Sequence, residues 1–272
     1  MDLDDERKPR NSLDCEANLL DHFRMMFRNE LCYLVPQDAS AERIVQDVLN
    51  EKAWEDHSGK GALPPDFVCE ERGLMLEVMR VDDHERPGDR KGYVNPLRAR
   101  ESEIIKEYAR EFEDILALAA DDASLTINAV TDLETEDDHS YRNYLSAFSR
   151  IVGKHASNAQ RYRKNHPGSK LVFFVFDESS TYLEAVDPKA KSALRSAGDV
   201  VRGHSHLFFA DKAFLDVVRR SGADYFIWCT PFKQSALFVK DLELPETVVY
   251  DVGRIDISDF EYDSHLMVSA EL

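Results

Sequence analysis

The chain alternates between stretches with helical spacing and stretches with strand-like spacing of apolar residues. Apolar residues that recur every three or four positions mark one face of a helix. Such stripes predict helices over residues 13–31, 41–54, 97–120, 139–166 and 211–221. Pro167 and Gly168 directly follow the fourth stripe and should end that helix. Predicted helices thus occupy much of the chain and separate the apolar runs that lie between them.

Two uninterrupted apolar runs predict strands that are buried on both faces. They cover residues 170–176 and 225–230, and each carries too few polar residues to face water. Such a run is typical of a central or parallel strand. Weaker strand signals occur at residues 125–131, 204–209, 237–240 and 248–252. The alternation of strands with long helices predicts an α/β fold, with a mixed sheet flanked by long helices in a three-layer-like arrangement.

Residues 64–80 are predicted to form two short strands joined by a tight turn. The polar turn at residues 70–73 ends in Gly73, which can adopt the positive φ that a hairpin requires. Side chains alternate with a period of two, so one face carries Leu74, Leu76 and Val78, and the other Met75, Glu77 and Met79. Asp66, at the head of the first strand, can therefore meet Glu77 in the middle of the second. Two carboxylates brought together in this way can bind a divalent cation.

This hairpin resembles the core of the PD-(D/E)xK nuclease superfamily, which has the restriction-endonuclease-like fold. Pro65 and Asp66 match its Pro-Asp, and Glu77, Val78 and Met79 match its (D/E)xK tripeptide, with Met79 in place of the lysine. The resemblance implies a restriction-endonuclease-like core. It also implies Mg²⁺- or Mn²⁺-dependent phosphodiester hydrolysis of nucleic acid, with Asp66, Glu77 and the Val78 carbonyl as metal ligands.

The missing lysine leaves two interpretations open. In the superfamily the lysine orients or activates the attacking water, so an active enzyme needs a substitute, for which Lys60, Lys91 and Lys106 are the candidates. The alternative is a catalytically inactive protein of the same fold that binds nucleic acid or a protein partner. A helix before the Pro-Asp strand often supplies a further acidic ligand in the superfamily, and Glu42 or Glu51 could fill that role here; a surface carboxylate is the alternative for each.

Charge is distributed unevenly along the chain. The net charge is −18, which disfavours nonspecific binding to nucleic acid unless basic residues cluster. Between residues 139 and 176 there are seven Lys or Arg and no Asp or Glu. The predicted helix over residues 139–166 therefore offers a phosphate-facing patch for DNA or RNA, with Arg150, Lys154, Arg161, Arg163 and Lys164 as its contacts. The alternative is a solvated helix face that pairs with acids elsewhere.

Other kinds of site receive less support from the sequence. His204 and His206 would lie on one face of a predicted strand near Asp211, a spacing that can bind zinc, although a pair at a strand edge is the simpler interpretation. Asp177 and Glu178 follow a buried strand as a carboxylate pair or as turn acids. No Gly-x-Ser-x-Gly occurs, which argues against a serine hydrolase. No Cys-x-x-Cys occurs, which argues against a zinc ribbon.

The remaining features indicate where the protein works and how it is organised. No run of about 18 apolar residues occurs, so no membrane span is expected. The acidic start lacks the apolar core of a signal peptide, and the four cysteines are scattered, which favours reduced thiols and a cytoplasmic location. Residues 1–11 are predicted to be a disordered tail and residues 12–272 a single α/β domain. The sequence leaves the oligomeric state open.

Overall fold

The computed structural model describes residues 16–58, 65–83, 96–112, 139–187, 202–233 and 244–269. The chain divides into two compact units, one formed by residues 12–83 and 139–272, the other by residues 1–11 and 84–138. The described part of the second unit is a helix with one further residue. The predicted tail at residues 1–11 lies outside the described residues, and a single domain over residues 12–272 stays a prediction.

The described helices and strands follow each other in this order along the chain. The helices are α1 (Glu16–Met26), α2 (Ala39–Leu49), α3 (Pro96–Glu111), α4 (Tyr141–Ala156), α5 (Ala159–Asn165) and α6 (Lys212–Arg219). The strands are β1 (Cys32–Val35), β2 (Glu55–Asp56), β3 (Phe67–Cys69), β4 (Leu74–Val81), β5 (Lys170–Asp177), β6 (Tyr182–Ala185), β7 (Gly203–Ser205), β8 (Tyr225–Cys229), β9 (Thr247–Asp251) and β10 (Met267–Ser269).

Ten described strands form two sheets. The larger has seven strands in the order β1-β9-β8-β5-β4-β3-β2, and the smaller has the order β10-β6-β7. In the larger sheet β4, β5 and β8 run parallel, whereas β3 and β9 run antiparallel to their neighbours β4 and β8. The predicted α/β class with a mixed sheet is therefore confirmed.

The central strands β5 and β8 confirm the prediction from the two apolar runs. Every residue of β8 is buried, as is every residue of β5 after Lys170. One face of β5 packs in a cluster with residues of α4 and α6, and the other face packs in a cluster with residues of α1 and α2. Helices thus cover the large sheet on both faces within the first unit.

The predicted hairpin is also present. A 3₁₀ turn over Glu70–Arg72 joins β3 to β4, and Gly73 takes the left-handed conformation with φ of 61°. The alternation along β4 is as expected, because Met75 and Met79 pack in the cluster with α4, whereas Leu76 and Val78 pack in the cluster with α1 and α2. The first strand has three residues and the second has eight.

One helix prediction is wrong in a way that affects the functional argument. Residues 139–166 form two helices, α4 and α5, instead of one. The break lies at Ser157 and Asn158, residue types whose side chains compete with helical hydrogen bonds. The Ser157 hydroxyl donates to the Lys154 carbonyl at 2.6 Å, which satisfies a carbonyl near the end of α4. The residues of the predicted phosphate-facing patch, from Arg150 to Lys164, therefore lie on two helices instead of one.

Several other boundaries differ from the sequence-based expectation. The helix over residues 13–31 ends at Met26, and the apolar residues that follow form strand β1, paired with β9. The helix over residues 41–54 ends at Leu49. The strand over residues 204–209 is limited to β7, and a 3₁₀ turn follows. The strands expected at residues 125–131 and 237–240 lie outside the described residues. No helix in the described segments is long and apolar enough to span a bilayer.

Candidate functional site

The hairpin of β3 and β4 brings Asp66 and Glu77 together. Asp66 directly precedes β3, and Glu77 lies in the middle of β4. The main-chain N–H of Asp66 donates to Glu77 Oε2 at 3.3 Å, and the N–H of Val78 donates to Asp66 Oδ2 at 2.8 Å. Each carboxylate is thus bound by the backbone of the opposite side of the hairpin. The role of the Val78 carbonyl as a metal ligand stays a prediction.

Glu77 is buried, but polar groups surround its carboxylate. Only 4% of the residue is exposed. Its Oε1 accepts a hydrogen bond from the Tyr162 hydroxyl at 2.8 Å and lies 2.6 Å from His155 Nδ1. Burial and the charge of Glu77 raise the pKa of Tyr162, so this hydroxyl stays protonated and acts as a donor. Helices α4 and α5 therefore fix the Glu77 carboxylate from the face opposite α1 and α2.

The Asp66 carboxyl lies in surroundings that disfavour its charged form. Its pKa is raised to about 7, first by burial and then by the negative charge of Glu77. Glu16 raises this pKa further, while the Val78 N–H and His155 lower it. A carboxyl group that holds its proton up to neutral pH next to a second carboxylate is typical of a site where a cation would relieve repulsion.

Glu16 is an acid near the site that sequence reasoning missed. It is the first described residue of α1, and its charge contributes to the raised pKa of Asp66. The sequence favours Glu42 or Glu51 instead. Glu51 lies exposed in a 3₁₀ turn, and Glu42 lies exposed on α2. Since α1 also precedes the Pro-Asp strand, the acid at its start is an equal candidate from the sequence.

The residue that stands where the PD-(D/E)xK pattern has its lysine lies in the apolar core. Met79 is 2% exposed and belongs to the cluster that includes the aromatic residues of α4. Among the described residues, the basic side chain in contact with Glu77 is His155. His155 and Tyr162 occupy inward positions of α4 and α5, in register with the buried Val152 and Ala159. A polar residue on the inward stripe of a predicted helix is the signal that could have found both.

None of the lysine candidates from the sequence lies among the described residues of the unit that contains the acid pair. Lys60 and Lys91 lie outside the described residues. Lys106 lies exposed on α3, which belongs to the second compact unit. A catalytic role for Lys91 or Lys106 stays a prediction.

Four of the five predicted nucleic-acid contacts are exposed. Arg150 and Lys154 lie on α4, and Arg161 and Lys164 lie on α5. Lys154 directly precedes His155, and Arg161 directly precedes Tyr162, the two residues that bind Glu77. Two of the exposed cations are therefore sequence neighbours of the residues that contact Glu77.

The fifth predicted contact, Arg163, is engaged within the protein. Its Nη1 lies 2.9 Å from Asp224 Oδ2, and its Nη2 donates to the Gly222 carbonyl at 2.8 Å. For Arg163 this agrees with the alternative interpretation of the basic stretch, pairing with an acid elsewhere in the chain, because Asp224 lies in the turn before β8.

The other polar residues singled out from the sequence have structural partners. His206 is buried, with Nε2 at 2.7 Å from Asp211 Oδ2, whereas His204 is exposed on β7. Asp177 is fully buried and accepts hydrogen bonds from the Tyr144 hydroxyl and from Trp228 Nε1. The contacts of Asp177 connect α4 to strands β5 and β8 of the large sheet. Neither set resembles a zinc site.

The acid pair offers hard oxygen donors, which suit Mg²⁺ or Mn²⁺. Within the described segments no group of three or more His, Cys, Asp or Glu side chains is arranged to hold a metal ion. Comparisons with family models, with curated proteins and with solved structures found no match for this chain.

Proposed function

We propose that Asp66 and Glu77 bind a divalent cation, Mg²⁺ or Mn²⁺, and that the protein hydrolyses phosphodiester bonds of nucleic acid at this site. The observation that carries the proposal is the pairing of two carboxylates across one hairpin, with the pKa of Asp66 raised to about 7. The match of residues 65–66 and 77–79 to the PD-(D/E)xK pattern supports the same chemistry.

The donor set fits a hard cation. A bound divalent cation would polarise a phosphoryl oxygen and lower the pKa of a bound water. Asp66 and Glu77 hold such an ion by their oxygens, and Glu16 adds negative charge near Asp66. Tyr162 and His155 fix the rotamer of Glu77, as partners of metal ligands commonly do.

His155 takes the role that the lysine has in the superfamily. Because Nδ1 lies against Glu77, Nε2 is the ring nitrogen left to accept a proton from water. A carboxylate that orients an imidazole in this way is a common arrangement for a general base. Lys154, Arg161 and Lys164 supply contacts to phosphates on the neighbouring surface.

Isothermal titration with Mn²⁺ tests the cation site. We expect the wild type to bind the ion, and Asp66→Asn and Glu77→Gln to weaken binding by about tenfold or more, which corresponds to roughly 1.4 kcal/mol. Asp21→Asn, at an exposed position on α1, is the matched control and should bind as the wild type does. Equal affinity in all four proteins would rule out the acid pair as the ligand.

A second candidate function has its own support. Glu77 already has three partners in the protein, and the lysine position is occupied by the buried Met79. Both observations fit a catalytically inactive protein of this kind that binds nucleic acid or a protein partner. Assays with single- and double-stranded DNA and RNA in Mn²⁺ separate the candidates. Cleavage that Asp66→Asn abolishes supports the enzyme, whereas binding without cleavage, retained in Asp66→Asn, supports the inactive protein.

A further inference from the structure

Strand β1 forms one end of the large sheet, and its outer edge is unpaired among the described strands. It pairs with β9 on one side, and no other described strand pairs with its outer side. Its four residues, Cys-Tyr-Leu-Val, include no charged residue. Edge strands are commonly protected by charges, since an open edge presents unpaired N–H and C=O groups to other chains. The opposite end of the sheet is protected in this way, because β2 consists of Glu55 and Asp56.

An aromatic surface lies on one face of this edge. Tyr33 is 44% exposed, and its ring packs edge-on against Phe209 at 5.5 Å between centroids. Tyr33 points to the same face of the sheet as Val35, which packs in the cluster with α4. A side chain of an added strand could cover the exposed part of this aromatic pair.

A polar groove lies on the other face, between β1 and α2. Its volume is about 420 Å³. Residues of β1 and α2 and of the turn between them line it, among them Cys32, Leu34, Asp38 and Glu42. The set contains two carboxylates and no Lys or Arg. Asp38 is paired with Arg254, whereas Glu42 is exposed and has no ion-pair partner in the described part of the chain. The groove therefore favours a cationic side chain.

We propose that the β1 edge binds an extended peptide segment of a partner protein as an additional strand. Successive side chains of such a strand point to opposite faces, so the two surfaces define an alternating pattern. One set of side chains is aliphatic or aromatic and packs on Tyr33 and Phe209. The other set includes Lys or Arg and enters the groove beside Glu42. Backbone hydrogen bonds to β1 supply affinity, and the two surfaces supply specificity.

A labelled synthetic peptide tests this proposal with the full chain. The probe is Thr-Lys-Val-Lys-Phe-Lys-Val-Thr, whose anisotropy reports binding, and a second peptide with prolines in place of both valines lacks N–H donors at those positions. We expect the first peptide to bind and to protect the amides of residues 32–35 from hydrogen exchange. The proline peptide should bind more weakly by about tenfold or more.

Two charge reversals provide the matched comparison on the protein. Glu42→Lys places a cation in the groove and should weaken peptide binding by about tenfold or more. Glu55→Lys makes the same change at the opposite end of the sheet and should leave affinity within about twofold. Equal effects of the two variants, or equal binding of both peptides, would show that the acidic protein merely attracts cations.

Two further results would overturn the proposal that β1 binds a partner peptide. Absence of binding by the alternating peptide would overturn the proposal. A wild-type dimer that Tyr33→Lys converts to a monomer in sedimentation would also overturn it, because the edge would then be occupied by a second copy of this chain.

Discussion

Asp66 links the candidate site to the stability of the fold. Burial and Glu77 raise its pKa to about 7, whereas an aspartate in an unfolded chain titrates near pH 4. Between about pH 4 and 7 the folded state therefore binds more protons than the unfolded state. The associated stability is fully present below about pH 4 and is lost as the pH rises through about 7.

Asp66→Asn should remove this loss, because the amide carries no charge and its oxygen can still accept from the Val78 N–H. We expect the variant to unfold at higher urea than the wild type at about pH 8, and the difference to disappear near pH 4. Adding Mn²⁺ at about pH 8 should stabilise the wild type only. Parallel stability curves for the two proteins at all pH values would contradict this account.

Tyr162 contributes to the stability of the folded state through one hydrogen bond, which it donates to the buried carboxylate of Glu77. Tyr162→Phe removes the donor at 2.8 Å from Glu77 Oε1 and leaves His155 as the remaining partner on that oxygen. A hydrogen bond to a charged group contributes roughly 1.5–3 kcal/mol, so unfolding in urea should become easier by about that amount. Tyr108→Phe, at a position 47% exposed, should change the free energy of unfolding by less than about 0.5 kcal/mol. Similar changes in the free energy of unfolding for both variants would contradict the hydrogen bond between Tyr162 and Glu77.

At the residue scale, the sequence predicts the acids of the site but not their partners. Asp66 and Glu77 are separated by one hairpin, so a turn signal and a period of two are enough to pair them. His155 and Tyr162 reach Glu77 across about 80 residues of chain, and their approach depends on how α4 and α5 pack on the sheet. No local pattern contains that information.

At the scale of helices and strands, replacing either of two glycines with alanine should change the stability of the protein in opposite directions. A Cβ at Gly73 or Gly153 would meet no atom within 4 Å, so only the backbone conformation differs. Gly73 has φ of 61°, and Gly73→Ala should destabilise the hairpin by about 1–2 kcal/mol. Gly153 lies inside α4, and Gly153→Ala should stabilise the protein by about 0.5–1 kcal/mol. Thermal unfolding measures both, and a shift of the same sign would contradict the assigned hairpin or helix.

Some helices and strands can be predicted from the sequence, and others cannot. Strands β5 and β8 are evident because their own residues are apolar throughout. Strand β1 is hard to recognise, because four apolar residues after a helical stripe are ambiguous without their partner β9, more than 200 residues later. Likewise, the break between α4 and α5 depends on Ser157 and Asn158, which a periodicity argument passes over.

At the scale of the whole molecule, two charge features act on nucleic acid in opposite directions. The net charge of the chain is −18, whereas Arg150, Lys154, Arg161 and Lys164 are exposed cations on α4 and α5. The acidic body repels nucleic acid at long range, and salt screens this repulsion as well as the attraction. If the protein binds nucleic acid as proposed, the number of phosphates in contact with these cations is measured by the slope of log affinity against log salt, not by the affinity alone.

The pairing of Arg163 makes this slope a sharp test of nucleic-acid binding. In a titration with a single-stranded RNA or a DNA duplex, replacing Lys154, Arg161 and Lys164 with Ala should reduce the slope by about 0.7–0.9 for each phosphate that the variant no longer binds. Arg163→Ala is the matched control, since its guanidinium is bound by Asp224 and Gly222, and it should leave the slope unchanged. An equal reduction by Arg163→Ala would mean that the ion pair opens on binding. Absence of wild-type binding at low salt would remove nucleic acid as the substrate and leave a protein partner as the ligand.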